Sequence, residues 1–346
     1  MHFKITSLKT KLFLVTPPFT QLNTPYPATA YIKGFLNTKN IASEQADLGI
    51  EVILALFSKK GLADLFETSS STSQIETWSE NAWRIFALQD EYIKTIDSVI
   101  AFLQGKNPTL ALQICQEDFL PEASRFAQLE ELDWAFGTMG TQDKAKHLAT
   151  LYLEDISDFI VECVDPNFGF SRYAERLGRS ANSFDELYAA LQLQPTYIDT
   201  LLLSILKVKI ETIQPNVFLI SVPFPGNLYA AFRSAQWIKK HYPEIKILMG
   251  GGFANTELRS LSDERVFEFF DFISLDDGEL PLELIIENIE SGSFAEFKRT
   301  FLLENGKVEY KNNSPRHDYK QAHVGTPDYS DLLLDQYISV IEIVNP

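Results

Sequence analysis

The sequence predicts an α/β fold: a doubly wound, flavodoxin-like parallel sheet that carries a large all-helical insertion. Short apolar runs alternate with helical patterns near the start of the chain and again after residue 215. The runs are apolar at nearly every position, as strands of a parallel sheet are when helices cover both faces. Between these regions, from about residue 61 to 214, the sequence shows only helical periods.

The first strand and its helix are predicted close to the N-terminus. Residues 11–16 form an apolar run that stops at two prolines, which cannot donate to a strand ladder. Apolar residues at helical spacing around residues 30–35 predict a helix that lies back on the sheet. A weaker strand over 41–47 and a helix from residue 50 are expected to follow.

Residues 61–214 are expected to form the helical insertion. Aromatic and aliphatic side chains over 78–103 recur with a helical period, and prolines punctuate the region. Ser183 and Glu186 have the spacing of a capping box. A surface loop tolerates a long insertion at a modest cost in entropy. The sheet domain is therefore expected to be discontinuous, comprising residues 1–60 and 215–298.

Alternation of strands and helices resumes at Asn216. The predicted strands cover residues 217–222, 245–249 and 269–275. The predicted helices cover residues 228–238, after the first of these strands, and 282–289, after the last. Asn305-Gly306 then matches the two-residue turn of a β-hairpin. Residues 299–346 are expected to be this hairpin and a polar linker that leaves the domain.

Composition and charge exclude several classes of function. The chain has 30 basic and 47 acidic residues and a formal charge of −17, which disfavours nucleic acid and anionic membrane surfaces as partners. It has no apolar run of about 18 residues, and its N-terminus lacks a secretory pattern. Only Cys115 and Cys163 occur, which excludes a disulfide scaffold and any cluster that needs several thiolates. A cytoplasmic protein with free thiols is expected.

Four loops are predicted at the carboxyl edge of the sheet, where open parallel sheets bind ligands. They cover residues 17–27, 223–227, 250–256 and 276–279, and they are rich in Gly, Pro, Asn or Asp. Glycine lets a backbone approach a ligand closely, and amides at a helix start present donors to it. The loops therefore predict a binding site at this edge.

The individual motifs leave alternatives open. Gly250-Gly251-Gly252 is not a dinucleotide fingerprint, because Asn255 occupies the position of the third glycine. A tight turn explains the three glycines on their own, whereas their combination with Asn255 and the loop over 223–227 favours a ligand. The acidic residues over 276–279 could serve a metal or acid–base chemistry, but they more simply complement a helix dipole. No histidine pairs with another metal ligand at a suitable spacing, so we expect a binding module with no catalytic or metal-ligating residues of its own.

Four motifs, in this order, resemble the cobalamin-binding domain of radical S-adenosylmethionine (radical SAM) enzymes. They are residues Leu14–Pro18, Ile220–Asn227, Met249–Glu257 and Leu275–Pro281. The resemblance covers about residues 10–60 and 215–345 and leaves the helical insertion outside it. In that family the corresponding domain precedes an iron–sulfur barrel.

The resemblance implies a corrinoid at the carboxyl edge. Its nucleotide tail would enter between strands, against Ser221 and the glycine loop, and its corrin ring would rest on the loops after Thr16, Val222 and Leu275. The implied cofactor-binding residues are Pro17, Pro18, Phe19, Ser221, Val222, Pro223, Phe224, Gly226, Asn227, Gly250, Gly251, Gly252, Phe253, Asn255, Thr256, Asp276, Asp277, Gly278 and Glu279.

Two motifs found in related proteins are missing from this sequence. The Asp-x-His-x-x-Gly motif of cobalamin mutases and methionine synthase is absent, so we expect no histidine as the lower ligand of cobalt. The Cys-x-x-x-Cys-x-x-Cys motif of the four-iron cluster is also absent. The iron–sulfur cluster and S-adenosylmethionine are therefore expected in a C-terminal radical SAM barrel beyond Pro346, which would be the partner of this domain in methyl transfer or a radical rearrangement.

Two other functions remain open from the sequence. A non-catalytic α/β interaction domain could keep the fold and have lost the ligand, with the helical insertion docking a partner or blocking the site. A flavodoxin-like binder of a nucleotide or flavin ranks last, because the sequence lacks a separate phosphate loop.

Overall fold

The computed structural model describes residues 10–70, 75–116, 118–131, 140–179 and 183–341. Its strands form one seven-stranded sheet in the order β2-β1-β3-β4-β5-β6-β7. The strands are β1 (Lys11–Thr16), β2 (Ala42–Asp47), β3 (Val217–Ser221), β4 (Lys246–Gly250), β5 (Phe272–Ser274), β6 (Thr300–Glu304) and β7 (Lys307–Lys311). The first five are parallel, and β6 and β7 add an antiparallel hairpin. The order 2-1-3-4-5 is that of flavodoxin-like sheets, which confirms the predicted fold class.

Thirteen described helices surround the sheet. They are α1 (Ala28–Thr38), α2 (Leu48–Leu56), α3 (Lys59–Ser70), α4 (Glu80–Ala87), α5 (Gln89–Leu103), α6 (Ala111–Ile114), α7 (Gly140–Cys163), α8 (Glu175–Arg179), α9 (Asp185–Gln192), α10 (Tyr197–Ile213), α11 (Leu228–His241), α12 (Gly252–Glu257) and α13 (Glu279–Ser291). Helices α2 to α10 lie between β2 and β3, so the region read as a helical insertion contains helices and no strand among its described residues.

Alternate residues of each strand face two different apolar layers. Leu14 and Leu219 point to one side, where they pack with α1 and α13 through residues such as Leu36 and Ile285. We call this side the α1/α13 face. Residues such as Ile220 point to the other side, where the insertion, α11 and α12 cover the sheet. We call it the insertion face. Both faces of the central strands β1, β3 and β4 are buried, which explains why these strands read as nearly continuous apolar runs.

Side-chain caps begin two helices next to the sheet. Asp47 accepts hydrogen bonds from the N–H groups of Gly49 and Ile50 at the start of α2. Burial raises the pKa of this carboxyl to about 6, although Tyr337 also donates to it. Thr196 and Asp199 form a reciprocal capping box at the start of α10.

The capping box predicted at Ser183 does not form. Helix α9 begins at Asp185, and the hydroxyl of Ser183 accepts the N–H of Asp185 instead of that of Glu186. The hydroxyl also donates to the Asp185 carboxylate, so a local turn uses the group that the box would need.

The segment after β7 packs back onto the fold, which differs from the expectation of a linker that leaves the domain. A Cβ on Gly34 would stand only 2.1 Å from the carbonyl oxygen of Thr326, so only glycine allows α1 and this segment to approach so closely. Asp331 forms an ion pair with the buried Lys33. Ile338 is fully buried, and its N–H donates to the carbonyl of Leu22. Buried apolar residues within a polar segment account for the difference.

A buried ion pair joins the insertion to the sheet domain. Arg233 on α11 lies 3.1 Å from Asp199 on α10, and both side chains are almost fully buried. The guanidinium also donates to the carbonyls of Ala190 and Leu191 at the end of α9. Tyr229 donates to the Asp199 carboxylate at 2.8 Å. Burial raises the pKa of Asp199 from its ordinary value, and the charge of Arg233 opposes that shift.

We expect Arg233→Ala to lower the free energy of unfolding by about 3–5 kcal/mol, because it leaves the Asp199 carboxylate buried without its counter-charge. Denaturant unfolding at neutral pH measures the change. Arg179→Ala is the matched control, since Arg179 pairs with Glu175 on an exposed surface and its loss should cost less than about 1 kcal/mol. Equal, small effects of the two substitutions would contradict the account.

Candidate functional site

The four predicted loops lie on the same edge of the sheet. Strands β1, β3, β4 and β5 are adjacent and parallel, so their carboxyl ends meet at one rim. The loops that follow them lead into α1, α11, α12 and α13. The edge therefore has the geometry at which open parallel sheets bind ligands.

The strands end at this edge in a row of small residues. Ser221 pairs with Gly250 in the register of β3 and β4. The neighbouring registers, continued by one residue, place Thr16 beside Ser221 and Ser274 beside Gly250. We call Thr16, Ser221, Gly250 and Ser274 the edge row. By strand alternation its members share the side of Leu14 and Leu219, the α1/α13 face.

The edge row is open toward solvent at its β4 and β5 end. Thr16 and Ser221 are buried, whereas Gly250 and Ser274 are partly exposed. Gly278, just before α13, lies close to α1, since a Cβ on it would stand 3.4 Å from the Cδ1 of Ile32. Small side chains and backbone thus line the sheet edge between the starts of α1 and α13.

The insertion covers much of the loops after β1 and β3. Phe19 is buried between the rings of Phe168 and Tyr173, whose centroids lie 5.6 and 5.9 Å away. The carbonyl of Gly226 accepts the N–H of Tyr173, and a Cβ on Gly226 would stand 2.8 Å from Arg172. Contact with the insertion thus explains why position 226 is occupied by a residue without a side chain.

Asn227 ties these two loops together. Its side-chain amide donates to the carbonyls of Pro17 and Phe19, both at 2.8 Å, and the residue is fully buried. Pro18 is buried beside it. Asn227, Pro17 and Pro18 therefore fix the backbone of the loops at this edge, and their buried side chains do not line its surface.

The glycine turn after β4 combines two roles. Gly251 has a φ of 102°, and a Cβ there would stand 2.6 Å from the carbonyl oxygen of Val222. A Cβ on Gly252 would stand 2.8 Å from the carbonyl oxygen of Pro223. These two glycines let the turn pass close to the backbone of the loop after β3. This is the structural role that the tight-turn interpretation gives them. Gly250 differs, since it belongs to the edge row.

Phe224, which the sequence analysis selected, lies on the rim beside an aromatic residue that it did not select. Phe224 is half exposed, and its ring meets that of Tyr26 edge to face at 5.6 Å. Together with Thr16 and Ser274, Tyr26 is a site residue that sequence reasoning missed. The alternation of side chains at the strand ends could have found Thr16 and Ser274.

The remaining predicted residues lie either on the rim or beside a groove on the insertion face. Thr256, Asp276 and Asp277 are exposed, and Asn255 and Glu279 are partly exposed. Phe253 instead lines a groove of about 420 Å³ on the insertion face. The groove lies between Leu177, Phe184 and Leu187 of the insertion and Leu228, Phe232 and Phe253 of the sheet domain. Phe253 is thus separated from the edge row by the sheet.

The described residues contain no group of three His, Cys, Asp or Glu side chains that could hold a metal ion. Over the same ranges, no helix combines the length and hydropathy that a bilayer crossing requires. The chain was compared with protein-family models, with curated proteins and with solved structures, and none of them matches it.

We expect Gly251→Ala to lower the free energy of unfolding by at least about 3 kcal/mol, because it combines a glycine-only backbone conformation with a collision against Val222. Gly105→Ala is the matched control. Gly105 also has a positive φ, of 75°, but a Cβ there meets no atom within 4 Å. Its cost should be about 1 kcal/mol. Thermal or denaturant unfolding of both variants measures the difference, and equal costs would refute the crossing as the reason for Gly251.

Proposed function

We propose that this chain binds cobalamin at the carboxyl edge of its sheet, as the N-terminal module of a radical SAM protein. The observation that supports the proposal is the edge row, in which Ser221, Gly250 and Ser274 place small side chains side by side at the strand ends. The nucleotide tail, with its amide linkage, phosphodiester, ribose and base, needs backbone groups, hydroxyl groups and space. A chain with a formal charge of −17 fits a ligand of this kind better than a polyanion.

The residues present fit the two parts of the cofactor. Ser221 and Ser274 would offer hydroxyl groups to the nucleotide tail, and the absence of a Cβ at Gly250 leaves room beside the Ser274 hydroxyl, only 3.1 Å from where that Cβ would stand. Phe224 and Tyr26 would form an apolar support for the corrin ring at the rim. When bound, cobalamin would supply the methyl-transfer or radical chemistry of the whole protein. The chain's own part is to bind the cofactor, orient it and exclude water.

The wider proposal includes a partner. The iron–sulfur cluster and S-adenosylmethionine would be held by a C-terminal radical SAM barrel of the same protein. A cytoplasmic location belongs to the proposal as well, and the free thiols Cys115 and Cys163 are compatible with it.

A second candidate function is a non-catalytic interaction domain that has lost its ligand. The observation that favours it is the contact of the insertion with Phe19 and Gly226, which covers part of two of the four predicted loops. The remaining edge, between β3 and β5, keeps its small residues. The two candidates therefore differ in whether that part of the edge binds a corrinoid.

We expect Ser274→Leu to weaken the binding of hydroxocobalamin by at least about tenfold, because the larger side chain fills the space beside Gly250. Dicyanocobinamide, which has the corrin ring but lacks the nucleotide tail, should bind both proteins equally. Visible absorbance titrations measure both ligands, and circular dichroism verifies folding. Ser204→Leu on the exposed side of α10 is the matched control and should bind like wild type.

Two results of these titrations would contradict the proposal. Wild-type protein that binds no hydroxocobalamin at high micromolar concentration would favour the interaction domain. Loss of cobinamide binding together with cobalamin binding in Ser274→Leu would show that the nucleotide tail does not lie at the edge row.

We also expect no histidine to coordinate the lower face of cobalt. In the described part of the chain, histidines lie on α7, on α11 and after the hairpin, at positions 147, 241, 317 and 323, and none belongs to the four loops. Electron paramagnetic resonance of bound cob(II)alamin tests this expectation. Spectra of protein with natural and with isotopically labelled histidine should be identical, and a change in nitrogen splitting on labelling would contradict it.

A further inference from the structure

The groove on the insertion face has the size and lining of a site for a small molecule. Its volume of about 420 Å³ falls within the range of about 300–1,000 Å³ that ligand pockets have, and it is far larger than a packing defect. The buried side chains that line it are all apolar: Leu187, Leu228, Phe232, Phe253 and Val266. A ligand with an apolar body would therefore remove apolar surface from water on binding.

The polar side chains of the groove lie at its mouth, where the lining residues reach solvent. They are three hydroxyl groups and two carboxylates, on Ser183, Ser260, Ser262, Glu257 and Asp263. The described residues that line the groove include no lysine, arginine or histidine. The polar end of a ligand would therefore meet hydroxyl groups and negative charge.

One of the two carboxylates already has its counter-charge. Arg265 donates to both carboxylate oxygens of Asp263, at 3.0 and 2.6 Å. The guanidinium also pairs with Asp185 and lies over the rings of Phe184 and Tyr188. Arg265 is thus held in place by several contacts, and Asp263 brings no uncompensated charge to the mouth.

The other carboxylate, on Glu257 at the end of α12, has no ion pair or hydrogen bond within the described part of the chain. The arginines close to the groove in the sequence are already paired, Arg176 with Glu186, Arg179 with Glu175 and Arg259 with Asp276. Glu257 is therefore a negative charge at the mouth that lacks a counter-ion among the described residues. A cationic group on a ligand would complement it.

We propose that the groove binds an organic cation, namely a primary amine with an apolar body, whose ammonium group pairs with Glu257. The site is separate from the carboxyl edge and does not rest on the proposed function. The apolar body lies against Phe232 and Phe253, while the ammonium group remains at the mouth beside Glu257. An anion of the same shape is disfavoured because the same carboxylate repels it.

The exposure of Glu257 sets the size of the expected effects. An exposed ion pair changes an equilibrium by about two- to fivefold, and salt screens it. Most of the affinity therefore comes from the apolar contact, and the ion pair selects for charge. A cation and a neutral molecule of the same shape should both bind, with the cation ahead at low salt.

The first experiment compares three probes that share one apolar body: naphthylbutylamine, naphthylbutanol and naphthylbutyrate. Equilibrium dialysis measures their binding at low and high salt. The amine should bind about two- to fivefold more tightly than the alcohol at low salt and lose that advantage at high salt, and the carboxylate should bind more weakly than the alcohol. Absence of binding by all three at millimolar concentration overturns the site. Equal binding of all three at low salt overturns its preference for a cation.

The second experiment places the amine in the groove. Glu257→Gln should weaken the amine about two- to fivefold and leave the alcohol unchanged. Glu244→Gln, which makes the same change at an exposed position before β4, is the matched control and should bind like wild type. An unchanged affinity for the amine in Glu257→Gln overturns the proposed ion pair.

A third comparison tests the apolar wall. Leu261→Ala, a change at a partly exposed position of the lining, should weaken amine and alcohol alike by about two- to tenfold, because it removes apolar contact. Leu193→Ala is the matched control, since Leu193 is 69% exposed and lies outside the lining. Circular dichroism verifies that each variant is folded. Binding that is the same in Leu261→Ala and in wild type places the probes elsewhere and overturns the assignment of the groove.

Discussion

The buried ion pair between Arg233 and Asp199, together with the apolar cluster around it, holds the insertion on one side of the carboxyl edge and leaves the other side open. It joins α11 to α10 and, through backbone carbonyls, to the end of α9. The insertion is thereby held against the insertion face, where it reaches the loops after β1 and β3. What is left for a ligand is the part of the edge between β3 and β5 that faces α1 and α13. The position of the proposed site thus depends on an interaction outside it.

The strands and their order could be predicted because each strand has a recognisable pattern within a few consecutive residues. Buried parallel strands are short, apolar and ended by proline or glycine, as at residues 11–16 and 245–249, and right-handed crossovers restrict their arrangement. The loops at the edge follow from the same reasoning. The edge row was only partly predictable, because Ser274 ends a three-residue strand whose register against β4 is a long-range property.

Contacts between distant segments account for the features that the sequence did not predict. Gly226 and Phe19 look like ligand-binding residues from their positions, but the insertion packs on both. Gly251 and Gly252 serve a crossing of two loops, whereas Gly250 serves the edge row, and three consecutive glycines give no sign of this division. The tail after β7 is polar on average, yet Ile338 and Tyr337 within it are buried. Composition over a window does not reveal single residues that anchor a segment.

A crystal structure of the protein grown with hydroxocobalamin tests the central claim most directly, because the edge row and the groove beside Phe253 lie on opposite sides of the sheet. We expect the nucleotide tail to contact Ser221, Gly250 and Ser274 on the α1/α13 face, with the corrin ring near Phe224. A corrinoid in the groove beside Phe253 on the insertion face, or a carboxyl edge that stays without ligand at saturating cofactor, would contradict the account.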